Sequence, residues 1–320
     1  MTLYIILGII GGIITLLFLM TLICFILTFY SPKRKKPAPD EYEIPKGDIY
    51  EVYREDMIGW TRDIRSMPHD DVSITSHDGL TLRGKYYEYE KGAAIEILFH
   101  GYRGNAERDL CGAVHRCFTL GRNALIVDHR ASGESDGHVI TFGIKERLDC
   151  LKWIEYANGR FGKDSEIMIT GISMGAATVM MALNEKLPEN VVCVLADCGY
   201  TSPRDVICKV LRDIHLPVWL FYPFIRLGAR IFGRFDLEEV SAVGGVQKCN
   251  IPIIFIHGES DDFVPCDMSR ELYSICTSEH KKLYTVSGVG HGLAFPADKD
   301  GYYNALREFE KECGAFTKES

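Results

Sequence analysis

The sequence lacks the signatures that would place it among zinc-binding or nucleic-acid-binding proteins. Its eleven cysteines occur singly, with no Cys-x-x-Cys pair and no Cys/His cluster at zinc-ligand spacing. So many unpaired thiols favour a reducing compartment over an oxidising one. The net charge of -8 argues against the broad basic surface with which nucleic-acid-binding proteins neutralise phosphates. We therefore expect no nucleic-acid partner and no structural metal site.

Charged side chains are absent from residues 1–30, which form one long apolar run. This run exceeds the ~20 residues that a helix needs to cross the hydrocarbon core of a bilayer. A secretory signal peptide is the competing interpretation, but it would begin with basic residues and have a shorter apolar core and a small-residue cleavage site. The segment has none of these features. It therefore predicts a single transmembrane anchor over residues 1–30.

Basic residues follow this anchor directly, in the run Lys33-Arg34-Lys35-Lys36. Because cytoplasmic flanks carry the excess of Lys and Arg, the run predicts that the bulk of the chain lies in the cytoplasm. Prolines at positions 32, 37, 39 and 45 predict a stiff, extended tether over residues 31–46. The remaining residues, 47–320, suffice for one large domain with its own core.

Strand-like and helical patterns alternate through this domain. A hairpin of strands is predicted at 71–75 and 80–87, followed by strands at 94–100, 124–128, 166–172, 191–197, 252–257 and 282–286. Helical patterns between them predict an α/β fold whose sheet is mostly parallel, with helices on both faces. The alternation lapses over residues 201–249, where an aromatic and apolar stretch occurs. We interpret it as a small helical cap that lines an apolar substrate pocket, with an ordinary buried excursion as the alternative.

A Gly-x-Ser-x-Gly motif, Gly171-Ile172-Ser173-Met174-Gly175, joins a β-branched run to a helix-forming run of small residues. A serine on such a strand–turn–helix connection has a strained backbone that lifts its hydroxyl above the sheet. A Cβ on either glycine would collide with the neighbouring strand or helix. The N–H groups that begin the helix would face an oxyanion formed at the serine. Because a chance motif in a loop lacks this setting, we interpret Ser173 as a nucleophile.

A serine hydroxyl needs a base to remove its proton and an acid to orient that base. Two turns downstream of Ser173 each follow a predicted strand. One contains Asp261, a candidate for the acid, and the other contains the glycine-flanked His291, a candidate for the base. Both turns lie at the carboxyl edge of the predicted sheet, where functional residues gather. Asp262 and Asp197 are the alternatives for the acid, and His257 is expected to be structural.

Residues 70–316 resemble the α/β-hydrolase fold family, and most of all its serine-hydrolase branch with lysophospholipase-like and serine-aminopeptidase-like members. The resemblance rests on the Gly-x-Ser-x-Gly motif, on an acid loop of the form His-Gly-x-x-Asp-x-x-Val-Pro, and on the order Ser…Asp…His. It implies that Ser173, Asp261 and His291 form a catalytic triad. It also implies an oxyanion hole made by the backbone N–H groups of Tyr102 and Met174.

The resemblance and the anchor together predict a membrane-anchored serine hydrolase that cleaves carboxylic esters of lipid-like or acyl substrates through an acyl-enzyme. This mechanism requires no metal and no organic cofactor. A peptidase of the same fold is one alternative, because fold alone does not fix the substrate. A non-catalytic, membrane-tethered binding protein is another, which a missing triad member would favour.

Overall fold

The computed structural model describes residues 1–33 and 38–316. They contain one sheet of eight strands, in the order β1-β2-β4-β3-β5-β6-β7-β8. The strands are β1 (Asp70–Thr75), β2 (Thr81–Tyr87), β3 (Ile95–Phe99), β4 (Asn123–Val127), β5 (Ile167–Ile172), β6 (Val191–Asp197), β7 (Ile253–Gly258) and β8 (Lys281–Val286). The pairs β1–β2 and β2–β4 are antiparallel and all other pairs are parallel. This confirms the predicted α/β-hydrolase sheet, with each strand end within one residue of its prediction.

The described residues form twelve α-helices. They are α1 (Thr2–Phe29), α2 (Asp48–Glu51), α3 (Arg54–Ser66), α4 (Ala106–Thr119), α5 (Glu146–Phe161), α6 (Met174–Ala182), α7 (Pro203–Asp213), α8 (Val218–Gly228), α9 (Ala242–Val246), α10 (Cys266–Ile275), α11 (Ala294–Ala297) and α12 (Lys299–Cys313). A π-helical turn, Ala229–Gly233, continues α8.

Side chains alternate between the two faces of the buried strands, as the strand period of two requires. On β3, Ile97 and Phe99 pack with the layer of α5, α6, α9 and α10, whereas Leu98 packs with α4. On β6, Leu195 packs with α12. Apart from the buried Glu96 of β3 and Thr170 of β5, the central strands are therefore apolar on both faces, so the sequence shows them as nearly continuous hydrophobic runs.

Helix α1 has the length and composition to cross a membrane, with a mean hydropathy of 2.8 in its most apolar window. Its final third is nevertheless packed against the domain, because Thr21, Cys24, Phe25 and Phe29 are buried. The ring of Phe29 lies edge-on between two rings of the domain, with centroids 5.8 Å and 5.3 Å away. Helix α1 and the sheet domain are thus in direct contact.

The chain also stays on the domain immediately after α1. Tyr30 forms an antiparallel bridge with Val139, and the Ser31 N–H donates to the His138 carbonyl at 2.9 Å. The predicted tether over residues 31–46 therefore contacts the domain where it begins. The rest of the basic run, residues 34–36, and Pro37 lie outside the described residues.

Candidate active site

Ser173 lies on a sharp turn between β5 and α6. Its φ of 56° and ψ of -115° are a strained conformation for a residue with a Cβ. Both flanking glycines are required by close backbone contacts: a Cβ on Gly171 would lie 2.0 Å from the Gly175 carbonyl carbon, and a Cβ on Gly175 would lie 2.0 Å from the Phe99 carbonyl oxygen. The local geometry is the one that the motif predicts for a nucleophile.

A chain of two hydrogen bonds connects Ser173 to a histidine and an aspartate. His291 Nε2 lies 2.9 Å from Ser173 Oγ, and His291 Nδ1 lies 2.6 Å from Asp261 Oδ2. His291 is on the loop after β8 and Asp261 on the loop after β7, so three strand ends supply the three side chains. Nδ1–H can donate to the carboxylate while Nε2 accepts from the hydroxyl, which is the arrangement that makes a serine nucleophilic.

Asp261 is buried and yet held as a carboxylate. Burial alone would raise its pKa, but hydrogen bonds from His257 and His291 outweigh that effect and hold the pKa well below its usual range. Its Oδ1 also accepts from the backbone N–H groups of Phe263 and Val264, at 2.9 Å and 2.8 Å. The carboxylate is thereby fixed in orientation and charged at neutral pH.

His257 supports this carboxylate from behind. Its Nε2 lies 3.1 Å from Asp261 Oδ2 and 2.8 Å from the Val264 carbonyl, while Nδ1 lies 2.7 Å from Ser269 Oγ. The side chain is fully buried, so it has no access to a substrate. The structural role expected for His257 agrees with these contacts.

The two alternative acids do not hold the imidazole in this structure. Asp197 Oδ2 accepts a hydrogen bond from the Tyr302 hydroxyl at 3.0 Å, and burial raises the pKa of Asp197 to about 6. The backbone carbonyl of Asp262 accepts from Lys209 Nζ. Within the described residues, neither carboxylate hydrogen-bonds His291, so the geometry favours Asp261.

The candidate oxyanion donors belong to the start of α6 and to the loop after β3. Met174 is the first residue of α6, where a helix leaves N–H groups without an intrahelical acceptor. Tyr102 follows Gly101 on the loop after β3, and a Cβ on Gly101 would lie only 3.5 Å from Ser173 Cβ. Gly101 N–H donates to Asp109 Oδ2 at 3.2 Å, which fixes the turn of this loop beside the serine.

A cavity of about 680 Å³ opens at Ser173 and His291. Its apolar wall comes largely from residues before β1 and from α4 and α11: Ile49, Tyr50, Met57, Trp60, Leu110 and Phe295. Among the described residues, none from 201–249 lines this cavity. The expectation that the segment 201–249 lines the substrate pocket is therefore wrong, and the segment 45–60 provides the wall instead.

Sequence patterns alone provide little indication of this wall. Residues 47–70 show an amphipathic helical pattern, which predicts packing either on the domain or on the membrane surface. Met57 and Ile64 of α3 are indeed buried, and α3 packs beside α4. The pattern does not indicate which apolar residues face a cavity and which fill the core, because both require the same spacing.

One group of described residues has the donor atoms of a metal site. Ligand atoms of Cys198, Asp261 and His291 lie within 4.8 Å of one another. Burial raises the pKa of the Cys198 thiol well above its ordinary value, which disfavours the thiolate that a metal requires. A metal bound here would also compete with the imidazole for the Asp261 carboxylate.

Residues 141–315 match the model of the prolyl oligopeptidase family. The chain is 27% identical to an uncharacterized Bacillus subtilis protein, YqkD, over 74% of this chain and 77% of that protein. It is 23% identical to an uncharacterized membrane protein of Saccharomyces cerevisiae, over 79% of this chain and 84% of that protein. The Macaca fascicularis lysophosphatidylserine lipase ABHD12 is 24% identical over 57% of this chain and 45% of its own length.

The fold is shared with solved hydrolases. The Pyrococcus furiosus esterase Pf2001 superposes with a TM-score of 0.65 at 22% identity, covering 87% of this chain and 99% of the esterase. Similarity at this level of identity establishes the fold rather than the substrate.

Proposed function

We propose that this chain, which belongs to the prolyl oligopeptidase family, is a membrane-anchored serine hydrolase that cleaves carboxylic esters of lipid-like or acyl substrates. That the chain is a serine hydrolase with the α/β-hydrolase fold follows from its family and its structural neighbours. The finer proposal depends above all on one observation, the continuous hydrogen-bonded chain Ser173–His291–Asp261 at the mouth of a cavity.

The geometry supports acyl transfer in two steps. His291 Nε2 removes the proton from Ser173 Oγ as the oxygen attacks the carbonyl carbon of the ester. The developing oxyanion accepts hydrogen bonds from the backbone N–H groups of Tyr102 and Met174, and such donors contribute most of the stabilisation in acyl-transfer enzymes. The intermediate collapses to an acyl-serine, and the leaving alcohol takes the proton from His291. Water, activated by the same imidazole, then hydrolyses the acyl-serine.

Asp261 holds the imidazole in the tautomer that this sequence of steps needs. Because the carboxylate accepts from Nδ1–H, Nε2 is left free to take the serine proton. The negative charge also stabilises the imidazolium that forms transiently. His257 and the two backbone N–H groups keep the carboxylate in place during the cycle.

Three observations support a lipid-like substrate. Most of the surface of the cavity wall is apolar, although Arg108 and Asp109 also line it, and an apolar wall favours an acyl chain. Helix α1 would hold the site at a membrane. A similar protein is named a lysophosphatidylserine lipase.

Anchoring by α1 is part of the proposal. The helix is apolar over 28 residues, and one similar yeast protein is named a membrane protein. The basic run after the helix, residues 33–36, supports a cytoplasmic location for the domain through the positive-inside rule.

Peptide hydrolysis is the second candidate, and the family match favours it because the family is named for an oligopeptidase. The same triad can attack an amide carbonyl, so the triad geometry does not distinguish the two substrates. Turnover of aminoacyl amides compared with acyl esters on the same preparation separates them.

The proposal is tested on the full-length chain in detergent micelles with a fluorophosphonate probe and a series of p-nitrophenyl esters of increasing acyl length. We expect covalent labelling and ester turnover by the native chain and by Ser274→Ala, whose exposed hydroxyl contacts only its own helix. Ser173→Ala should lose both. Labelling that persists in Ser173→Ala, or its absence from the native chain, contradicts the proposal.

A further inference from the structure

Helix α8 and the π-helical turn that follows it expose an apolar face. Trp219, Pro223, Leu227 and Ile231 recur at intervals of four residues, which places them on one side of the helical segment, and all four are exposed. Trp219 has 78% of its surface accessible. Leu220 adjoins it and is also exposed. We define the α8 face as Trp219, Leu220, Pro223, Leu227 and Ile231.

The opposite side of the same segment packs on helix α1. A Cβ on Gly228 would lie 2.9 Å from Phe25 Cβ and 3.1 Å from the Thr21 carbonyl oxygen, so the two backbones approach closely. The ring of Phe232 lies 5.7 Å from Phe18 and 5.4 Å from Phe25. Apart from Arg226 and Arg230, the segment is therefore apolar both on its exposed face and on the side that packs on α1, which approaches the pattern of a helix in a core or in a bilayer.

The charges of this segment are neutralised within the protein. Residues 218–233 contain only two charged side chains, Arg226 and Arg230. Both form ion pairs with Asp236, and Arg226 pairs with Glu238 as well. Because an unpaired charge is destabilising in an apolar environment, this pairing is needed for the α8 face to lie in one. Neither guanidinium is left without a carboxylate partner.

The position of the segment along α1 brings it to the bilayer. The 28 residues of α1 span about 42 Å, and the hydrocarbon core is only about 30 Å thick. The excess of about eight residues corresponds to the buried end of the helix, where Thr21, Cys24, Phe25 and Phe29 pack on the domain. Phe18 precedes this buried end and therefore lies at the depth of the acyl chains. Because Phe232 contacts Phe18, the π-helical turn lies at the same depth.

The domain cannot easily move away from this position. The Ile140 N–H donates to the Phe29 carbonyl at 2.9 Å, and Arg103 Nη2 donates to the carbonyls of Leu27 and Tyr30 at 2.9 Å and 3.1 Å. These bonds pair carbonyl groups that the end of a helix otherwise leaves without a partner. Helix α1 is thus fixed relative to the cavity.

We propose that the α8 face is immersed in the bilayer leaflet at which α1 ends, so that two elements seat the hydrolase domain in the membrane. The occupant of this face is the acyl region of that leaflet, with which the lipid-exposed side of α1 is continuous. This inference rests on the proposed membrane anchoring. It adds that the candidate active site has a fixed height above the lipid and meets substrates that are themselves in the leaflet.

The test uses the fluorescence of Trp219. The chain has three tryptophans; Trp153 is buried, and Trp60 lines the cavity. The full-length chain with Ser173→Ala is reconstituted into phosphatidylcholine vesicles and floated on a density gradient. Emission is then measured in vesicles whose acyl chains carry bromine, and separately with iodide in the aqueous phase. The matched variants are Trp219→Phe and Trp219→Tyr in the same background.

We expect brominated lipid to quench the emission, and both matched variants to lose most of that quenching. Iodide should have little effect on the component that depends on Trp219. If the chain floats but iodide quenches this component, or if bromine quenches the variants as strongly as the parent, the inference is overturned while anchoring stands. Shielding of Trp219 from both quenchers in a particle of twice the monomer mass would show that a second copy covers the face, which also overturns it. A chain that does not float overturns both the anchoring and the inference.

Discussion

The hydroxyl of Tyr102 donates a hydrogen bond to the backbone carbonyl of Thr28 at 2.7 Å. Tyr102 is the residue whose backbone N–H we propose as an oxyanion donor, and Thr28 is in the last turn of α1. The Tyr102 ring also packs against Phe142, with centroids 4.9 Å apart, and Phe142 in turn packs on Phe29. The end of α1 and the loop after β3 are therefore joined by one hydrogen bond and by the aromatic contacts of Phe142 with Tyr102 and Phe29.

Removing this hydroxyl should weaken turnover without removing the oxyanion donor. We expect Tyr102→Phe to lower kcat for esters about fivefold, because losing one hydrogen bond costs about 1 kcal/mol and the loop then positions its N–H less well. KM should change little. Tyr303→Phe, which loses a hydroxyl contact with Thr119, is the control and should keep native kcat. Native kcat in Tyr102→Phe would mean that the backbone alone holds the loop.

Adjacent aspartates in the acid loop provide a matched pair of variants. Asp261→Asn should reduce kcat by about 10³–10⁴, because the amide cannot hold the His291 tautomer that accepts the serine proton. Asp262→Asn should stay within about tenfold of the native chain, since its carboxylate does not bond His291. Steady-state ester hydrolysis measures both. Comparable losses in the two variants would contradict the assignment of Asp261.

Two glycines differ sharply in the room that they have for a side chain. Gly175→Ala places a Cβ 2.0 Å from the Phe99 carbonyl oxygen, so we expect a chain that does not fold or has no labelling by fluorophosphonate. Gly159 lies exposed in α5 with nothing within 4 Å of a Cβ. Gly159→Ala should therefore fold and gain about 0.5–1 kcal/mol from its better helix propensity. Thermal unfolding in detergent reports both, and a folded, labelled Gly175→Ala would refute the geometry of the turn.

The buried carboxyl of Asp197 should make stability depend on pH. Because its pKa is raised from 3.8 to about 6, the folded state binds the proton more tightly than the unfolded state, and stability falls as the pH rises through this interval. An asparagine at this position does not ionise, so Asp197→Asn removes this loss of stability. Its amide oxygen can still accept the hydrogen bond from the Tyr302 hydroxyl. The variant should exceed the native free energy of unfolding by up to about 3 kcal/mol above pH 6. The gain in the free energy of unfolding should be smaller near pH 5 than above pH 6. Denaturation of the native chain and the variant in both pH ranges measures it. An equal gain at both pH values would show that ionisation is not its source.

Local patterns in the sequence were sufficient for the sheet and for the turn at Ser173. β-Branched runs define strands because their side chains are buried on both faces, and the glycines around Ser173 are needed by contacts within the strand–turn–helix unit itself. The order of Ser173, Asp261 and His291 along the chain, each after a strand, predicted that they meet at one edge, because parallel strands end at the same edge.

The sequence alone thus determined an α/β-hydrolase sheet, an apolar helix before it and three candidate catalytic side chains at known strand ends. Only the tertiary structure decided what surrounds them: the segment 45–60 as the wall of the cavity, helix α8 beside the anchor, and the bond from Tyr102 to Thr28. These contacts join residues far apart in the chain, and an apolar residue has the same spacing in the sequence whether it faces a core, a cavity or lipid. Which of the three it faces depends on how the elements pack.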